Sequence, residues 1–333
     1  MVYIYRKIVG NRQYYYLRAS QKKGAKVAVK DIAYLGSSLE EVKKALDSLP
    51  QYSDQIRKAY KTIKHFLESN RYLEKIKELK LKSNPFLGKM LLEVEACKLH
   101  YLQEFQKSQE LTKKETFKNF VIEFAFNTTS IEGNTINLNE AKNLLQEGYT
   151  PKNKTLREIY DLQNTEKVFF ELIYCNEELS HDLIIKIHSG LMENIDLRKG
   201  SYRTHDVRVI HSNFEATPAP YVKTDMGLLL KWYEKNKDKM NPLVLATIFH
   251  HKFEKIHPFF DGNGRTGRMI LNYILLRNNY PPLVIHKKSK MKYLDAMRAA
   301  DLSGLEGADK KKYQRLIDFV AQEMVETYWS IFL

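Results

Sequence analysis

The sequence predicts a mainly α-helical protein with a small antiparallel β element at its beginning. Short β-prone runs separated by turn residues are confined to residues 1–36. Beyond them, apolar residues recur at helical spacing over most of the chain. With 333 residues, 43% of them hydrophobic, the chain is long enough to bury a large core. We expect a β-rich domain at 1–36, a helical connector at 37–110 and a main domain at 111–333.

The β-prone runs of the first part are Val2–Tyr5, Gln13–Leu17 and Lys26–Lys30. Turn-forming residues separate them, Gly10 and Asn11 in one place and a polar stretch at 20–24 in the other. These runs predict a small antiparallel sheet that ends at Gly36.

The connector and the start of the main domain show helical patterns. Apolar spacing predicts helices at 39–46, 54–80 and about 87–109. Thr112 and Glu115 fit a capping box, in which side chains satisfy the free amides of a helix start. We therefore expect a helix over about 115–133. Its apolar face is formed by Phe117, Phe120, Val121, Phe124 and Ala125.

The rest of the main domain is predicted to be helical with one exception. One helix ends near Tyr174, Pro242 opens another that runs to about Ile256, and a third covers 265–277. Val207–Ile210 and Tyr221–Val222 flank a turn-rich stretch, which predicts a β-hairpin with a long tip.

Composition excludes several classes of protein. No apolar run approaches the roughly 20 residues of a membrane span, so no membrane association is predicted. The first residues lack the apolar stretch of a secretory signal. Cys97 and Cys175 lie in unrelated contexts, which indicates neither a disulfide framework nor a zinc site. We expect a cytoplasmic protein.

The chain is basic, with a formal net charge of +14. Such a surplus favours contact with phosphates, in a nucleotide pocket, a nucleic acid or an acidic partner. A solvated basic surface explains it equally well. Neither a zinc-finger spacing nor an RNA-binding aromatic signature stands in the sequence, so charge alone decides nothing.

Residues 257–268 concentrate groups that suit phosphate chemistry. Gly262 and Gly264 directly precede a predicted helix, where backbone amides and the helix dipole favour an anion. Arg265 and Arg268 lie three residues apart and can neutralise further phosphate oxygens. Asp261 is a hard oxygen ligand suited to Mg²⁺.

A base stands at the other end of the same segment. His257 has a side chain whose ordinary pKa of about 6.5 suits proton abstraction near neutrality. Together with the anion-binding residues, it predicts the active-site loop of a nucleotidyl transferase.

Three other interpretations of this segment compete with this one. Gly262, Gly264 and Gly267 match the dinucleotide-binding G-x-G-x-x-G, but that fingerprint requires a preceding strand, and a helical pattern precedes it here. His250, His251 and His257 could form a metal cluster, but adjacent histidines of a helix point in different directions. An ordinary glycine turn leaves the arginines, aspartate and asparagine unexplained.

At these residues the sequence resembles the Fic family, whose signature is H-x-F-x-(D/E)-G-N-G-R-x-x-R. Each defined position is filled, by His257, Phe259, Asp261, Gly262, Asn263, Gly264, Arg265 and Arg268. The resemblance covers roughly residues 115–330. It implies a Fic helical core with a β-hairpin flap, and the activity of an adenylyltransferase that moves AMP from ATP onto a Ser, Thr or Tyr hydroxyl of a target protein.

The resemblance also implies roles for individual residues. His257 would deprotonate the target hydroxyl, and Asp261 would hold Mg²⁺ (or Mn²⁺) on the phosphates. Asn263 and the amides near Gly262 and Gly264 would stabilise the α-phosphate. Arg265 would contact the outer phosphates and Arg268 the γ-phosphate.

Two further groups of residues follow from the resemblance. Tyr293 and Asp301 fall where family members contact the nucleoside. The flap would dock target backbone by strand addition, through Val207, Arg208, Val209 and Ile210.

Thr128, Glu132 and Gly133 match the family's inhibitory motif, (S/T)-x-x-x-E-(G/N). The implied mechanism is a bidentate ion pair in which Glu132 holds Arg268 and occupies the place of the γ-phosphate. In some relatives the same glutamate positions water to remove AMP, so a de-AMPylase or a bifunctional enzyme stays open. The target, self-modification and a homodimer also stay open.

A different class of function is a nucleic-acid-associated regulatory module. The basic surplus and the β element at 1–36 suggest it, and that segment is faintly similar to small β domains of transposase-like proteins. A β cap for solubility or dimerisation explains the segment at least as well.

Overall fold

The computed structural model describes residues 2–23, 26–207 and 215–333. They form two compact units, one of residues 1–81 with Leu333 and the other of residues 82–332. The domain boundaries predicted at residues 36 and 110 stay predictions. In the described part of the chain, none of the helices has the length and apolar character needed to cross a membrane.

The first unit is a three-stranded antiparallel sheet with helices on one side. Its elements are β1 (Val2–Val9), β2 (Arg12–Lys23), β3 (Lys26–Gly36), α1 (Leu39–Asp47), α2 (Ser53–Lys58) and α3 (Tyr60–Glu78). The strands pair in chain order, as the predicted small sheet requires. Alternation along each strand puts one set of side chains into a core with α1 and α3. The core members from the sheet are Val2, Ile4, Tyr15, Leu17 and Leu35.

The second unit consists of helices and connecting loops, with no strand among its described residues. Its helices are α4 (Leu91–His100), α5 (Glu110–Ile131), α6 (Leu138–Glu147), α7 (Leu156–Ile173), α8 (His181–Leu191), α9 (Val222–Asn236), α10 (Pro242–Ile256), α11 (Asn263–Arg277), α12 (Lys290–Ala300) and α13 (Lys310–Ile331). The mainly helical fold class is confirmed.

Helices α10 and α11 form the centre of this unit. Most of their side chains are buried all round, as expected of helices surrounded by others. α10 packs against α9, α11 and α13, while α11 also contacts α5, α7 and α8. The loop that joins α10 to α11 therefore lies where several helices can direct side chains toward it.

The predicted start of α5 is wrong by several residues. The helix begins at Glu110, with Gln109 as its N-cap, so Thr112 and Glu115 lie inside its first turns. Residues 106–109 form a turn in which Gln109 is extended, with ψ 144°, and the helix begins directly after it. A capping-box pattern is only a local signal. Boxes with both reciprocal bonds occur at α6, with Asn137 and Glu140, and at α7.

The hairpin prediction fails where it can be tested. Tyr221 ends a short 3₁₀ turn, and Val222 begins α9. Pro220 supplies a φ that suits the start of a helix and lacks the N–H that a strand needs. Val222 and Met226, one helical turn apart, are both buried. Val207 is in no strand, and Arg208, Val209 and Ile210 lie outside the described residues.

Candidate active site

His257 stands at the C-terminal end of α10 with a left-handed backbone, φ 53° and ψ 60°. Arg203 fixes this conformation, because its Nε donates to the His257 carbonyl at 2.8 Å and its backbone N–H to the Pro258 carbonyl at 2.9 Å. Burial lowers the pKa of the His257 imidazole, and the nearby Arg203 charge lowers it further, while the Glu254 carbonyl opposes them. The imidazole is therefore neutral at pH 7 and can accept a proton.

Phe259 anchors the loop to the core. Its ring is fully buried and stacks on His188, with ring centroids 3.6 Å apart. Asn263 closes the loop from the other side, since its amide accepts from the Phe259 N–H and donates to the Phe259 carbonyl, each at 2.9 Å. The Asn263 side chain thus stabilises the loop through hydrogen bonds to its backbone. Its predicted contact with the α-phosphate stays a prediction.

His188 holds the middle of the loop in a single tautomer. Its Nδ1 accepts from the Gly200 N–H at 3.1 Å, so Nε2 carries the proton and donates to the Asp261 carbonyl at 3.1 Å. Burial lowers the pKa of His188 to about 4. The ring is therefore neutral and serves to position the loop.

The N-terminus of α11 forms an anion-binding end. The helix begins at Asn263, and Gly262 caps it with φ +77°, a conformation that costs glycine least. A side chain at 262 would also meet the sulfur of Met192 at 2.6 Å. The first amides of the helix have no acceptors within it and, with the helix dipole, favour a phosphate.

Arg265 points to the α7 side of this end. Its Nη1 forms an ion pair with Asp161, and its Nη2 lies 3.3 Å from Asp261. Both Arg265 and Asp161 are largely buried. Burial raises the pKa of Asp161 above its ordinary value, although the Arg265 charge opposes this.

Asp261 is the residue predicted to hold Mg²⁺. Its carboxylate contacts Arg157 and Arg265 and accepts from the Gly262 N–H at 2.6 Å. Burial opposes ionisation, but Arg265 and Arg157 outweigh it and lower the pKa of the carboxyl. A single ionised carboxylate beside a phosphate site fits Mg²⁺, which proteins hold through one or two carboxylates and substrate phosphates. Within the described ranges, no three His, Cys, Asp or Glu residues are grouped as metal ligands.

Arg268 points to the opposite side, toward α5. Its Nη2 donates to Oε1 of Glu132 at 2.7 Å and to the Thr128 carbonyl at 3.0 Å, while Nε donates to the Thr128 hydroxyl at 2.7 Å. The expected bidentate pair is therefore wrong in detail. Glu132 contributes one oxygen to Nη2, and Thr128, one turn earlier on α5, accepts from Nε and from the same Nη2.

The Glu132 carboxylate lies at the end of α5 with 41% of its side chain exposed. Burial of the carboxylate is the largest single effect and raises its pKa, but the charge and hydrogen bond of Arg268 together with the charge of Arg265 outweigh it, and the net pKa is below the ordinary value. Gly264 makes room for this contact, since a Cβ there would overlap Glu132 Oε1 and lie 2.9 Å from Arg268 Nη1. Gly133 follows the end of α5.

A buried acid behind Arg268 was not found by sequence reasoning. Burial raises the pKa of Glu254 to about 8, although Arg268 opposes the rise. Glu254 lies 3.9 Å from His250, whose other ring nitrogen lies 2.7 Å from the Tyr293 hydroxyl. Gly267 permits this packing, because a Cβ there would overlap Glu254.

Tyr293 and Asp301 do not share one environment. Tyr293 is buried beside His250, and Asp301 pairs with His251 at 3.0 Å. The two adjacent histidines thus point in different directions, as predicted. The predicted contacts of Tyr293 and Asp301 with the nucleoside stay predictions. To bind a nucleoside, Tyr293 would have to leave His250, and Asp301 would have to leave His251.

The structure also answers the dinucleotide interpretation, because helix α10 and not a strand precedes the glycines. Most site residues that sequence reasoning missed come from distant segments, namely Arg157, Asp161, His188 and Arg203. Glu254 was also missed, although it lies only three residues before His257. One signal in the sequence could have indicated some of them. Arg157 and Asp161 lie four residues apart in a predicted helix, but this spacing is more typical of an exposed ion pair than of a site.

Comparison with known proteins agrees with this geometry. Residues 178–275 match the model of the Fic/DOC family. Over 190 residues the chain is 29% identical to the protein adenylyltransferase fic-1 of Caenorhabditis briggsae, which covers 55% of this chain and 37% of that protein. Over 242 residues it is 27% identical to the protein adenylyltransferase Fic of Drosophila ananassae, covering 70% of this chain and 46% of that protein. The chain thus spans less than half the length of these curated relatives.

Solved structures show the same fold. A Fic-domain-containing signaling protein from Bacteroides thetaiotaomicron aligns with a TM-score of 0.65 at 23% identity, covering 72% of this chain and 95% of that one. Fic-1 from Caenorhabditis elegans aligns with a TM-score of 0.62 at 24% identity, covering 73% and 71%. Residues 178–275, which carry the filled signature at the α10–α11 loop, thus match the Fic/DOC family model within a fold that this chain shares with solved Fic-domain proteins.

Proposed function

We propose that this protein is an adenylyltransferase that moves AMP from ATP onto a Ser, Thr or Tyr hydroxyl of a protein. The observation that carries the proposal is the convergence of a neutral imidazole, a helix N-terminus and a buried arginine at one loop. The names of the curated relatives support it, since each is a protein adenylyltransferase.

The chemistry follows from the placement of these groups. The hydroxyl oxygen attacks the α-phosphorus, and its proton passes to His257. The bond from the α-phosphorus to the bridging oxygen breaks, and pyrophosphate leaves. The amides at the start of α11 stabilise the charge on the α-phosphate, an electrostatic effect that is often the largest in catalysis. Mg²⁺ held by Asp261 would neutralise phosphate charge.

The Arg268–Glu132 contact acts as a brake on this reaction in our proposal. Arg268 is the cation for the γ-phosphate, and Glu132 occupies it at 2.7 Å. A second anion in the same place would be repelled by Glu132, which is ionised because its pKa is lowered. Removal of the carboxylate therefore frees the guanidinium.

The experiment incubates the full chain with α-labelled ATP, Mg²⁺ and cell lysate. Glu132→Gly is expected to transfer at least about tenfold more label than wild type, since Arg268 becomes available. The matched control is Glu147→Gly, because Glu147 is also exposed at a helix end before a glycine. Equal labelling by Glu132→Gly and Glu147→Gly would contradict the brake.

The catalytic assignment is tested in the released background. Glu132→Gly with His257→Ala is expected to lose about 10²–10⁴ of the transfer rate, the usual contribution of a general base. Mass spectrometry of the product distinguishes AMP from other nucleotide fragments and identifies self-modification. Transfer that survives His257→Ala would overturn the proposed mechanism.

A second candidate is removal of AMP by the same site. The exposure of Glu132 favours it, because 41% of its side chain is open to solvent, the source of the water that hydrolysis needs. Self-labelled Glu132→Gly protein, freed of ATP, is then mixed with unlabelled wild type. Release of AMP by wild type and not by Glu132→Gly would establish the reverse reaction, and stable label in both would exclude it.

A further inference from the structure

The sheet of the first unit has one face outside the core. Helices α1 and α3 pack with Val2, Ile4, Tyr15 and Leu17 on the inner face. The alternation of side chains places the intervening residues on the other face. The strand register sets three tyrosines side by side across it, Tyr5 opposite Tyr16 and Tyr16 opposite Tyr34.

This outer face is aromatic. The rings of Tyr16 and Tyr34 lie 5.4 Å apart, and Tyr34 is 55% exposed. The guanidinium of Arg18 lies over the Tyr5 ring at 3.4 Å. The register adds Tyr3 beside Arg18 and Tyr14 beside Lys7. Five tyrosines therefore share one face of a three-stranded sheet, an arrangement hidden in the sequence because they lie on three strands.

The same part of the chain is strongly basic. Residues 1–36 contain eight Lys and Arg and one acidic residue, Asp31. Asp31 is already neutralised, since it pairs with Arg18 at 2.6 Å. Residues 1–81 contain eighteen basic and eight acidic residues, a surplus of ten out of the chain's +14. The unit thus offers a partner positive charge along with aromatic rings.

We propose that the outer face of this sheet binds single-stranded RNA. Unpaired bases stack on aromatic side chains, while a basic surface tracks the phosphates. The tyrosine hydroxyls can also bond a ribose 2′-hydroxyl, which DNA lacks. A duplex keeps its bases stacked inside and fits this face poorly. A second copy of the chain would bring the same positive surplus and be repelled.

The test measures fluorescence anisotropy of a labelled oligo-uridine of about 12 nucleotides with the full chain. Wild type is expected to bind, with an affinity that falls as salt rises from about 50 to 200 mM. The variant Tyr5→Ala/Tyr16→Ala/Tyr34→Ala is expected to bind at least tenfold more weakly. The corresponding Phe variant should retain most of the affinity but lose preference for uridine RNA over oligo-thymidine DNA.

Matched controls distinguish an effect of the outer face from a general effect of losing exposed tyrosines or positive charge. Tyr149→Ala/Tyr174→Ala/Tyr221→Ala removes three exposed tyrosines of the other unit and should bind as wild type. If the triple Ala variant fails to fold, the charge reversal Lys7→Glu/Arg12→Glu on exposed residues replaces it. Its control is Lys235→Glu/Lys239→Glu, also exposed.

Several results would overturn the proposal: no binding at low salt, equal binding by the variant and control triples, or tighter binding to duplex or to oligo-thymidine. A change of molecular mass in light scattering without a change in RNA affinity would instead assign the face to self-association. The AMP-transfer assay is independent of these outcomes, because it depends on the other unit.

Discussion

Arg265 and Arg268 lie three residues apart at the start of α11, yet their surroundings differ. Both side chains are almost fully buried and each meets a carboxylate from a distant helix. Asp161, the partner of Arg265, is itself largely buried, whereas 41% of the Glu132 side chain is exposed. A buried partner leaves an uncompensated charge when it is removed, and an exposed one is replaced by solvent or by an incoming anion. We therefore expect the Arg265–Asp161 pair on the α7 side to stabilise the fold. On the α5 side, which we call the exchangeable side, an incoming anion can replace the Glu132 carboxylate.

The largest expected difference is in stability. Asp161→Ala should lower the free energy of unfolding by about 3 kcal/mol, because the buried Arg265 keeps only its contact with Asp261 at 3.3 Å. Glu132→Gly should lower it by roughly 1 kcal/mol or less. Urea unfolding of the full chain measures both, with Asp238→Ala at an exposed position as the control. Equal costs for Asp161→Ala and Glu132→Gly would remove the distinction between the two sides.

A steric change at Gly264 tests how closely the exchangeable side is packed. Gly264→Ala should cost about 1–3 kcal/mol, as overpacking does, because the new methyl overlaps Glu132 Oε1. In the Glu132→Gly background that clash is gone, so the cost should be clearly smaller. Urea unfolding of both pairs gives the comparison, and an unchanged cost would show that Glu132 is not the obstacle.

Thr128 shares Arg268 with Glu132, so its loss should weaken the brake without removing it. Thr128→Val leaves the buried Nε of Arg268 without its acceptor, a cost of about 1–3 kcal/mol. Transfer of α-labelled AMP should rise, but less than in Glu132→Gly. Thr129→Val is the neighbouring control, since its hydroxyl bonds the Ala125 carbonyl on its own helix. A rise with Thr129→Val as large as that with Thr128→Val would contradict this role.

The smallest expected effect is on pH dependence in the Glu132→Gly background. Transfer should rise with pH through the pKa of His257, which lies below its ordinary value, and then level off, because the base works in its neutral form. Above about 8, Glu254 loses its proton and faces Arg268, His250 and Tyr293. The new negative charge competes with the γ-phosphate for Arg268, so transfer should fall by about fivefold or less.

Glu254→Gln removes this alkaline decline if Glu254 causes it, while the acid limb from His257 stays. The measurement is kcat/KM for ATP from about pH 5 to pH 9. A decline that persists in Glu254→Gln must come from another group. The proposed competition between Glu254 and the γ-phosphate for Arg268 is then wrong.

Much of the site was predictable because its chemistry lies in one short segment. His257, Gly262 and Arg268 belong to twelve consecutive residues, and a helix that begins at Asn263, directly after Gly262, fixes their relation by backbone geometry alone. The small N-terminal sheet and the central helices were predictable for a similar reason. Apolar residues recur every two positions in a strand and every three to four in a helix, and both patterns are local in the sequence.

The predictions that failed depended on choices that local patterns do not determine. A capping box at Thr112 lost to a helix that began earlier, and the strand at Tyr221–Val222 lost to a proline-initiated helix with a buried face. The bidentate Arg268–Glu132 pair was wrong because Thr128 competes for the same donors.

By itself the sequence determined the mainly helical fold and brought the charged groups of the loop together, while its resemblance to the Fic family implied the pairing of Glu132 with Arg268. Tertiary structure alone decided which partner is buried and which is exposed, placed Arg203 and His188 behind the loop, and raised the pKa of Glu254. It also gathered five tyrosines on one sheet face. The physical reason is that burial and pairing across long sequence separations depend on packing of the whole chain, whereas helix, turn and motif geometry depend on neighbours a few residues apart.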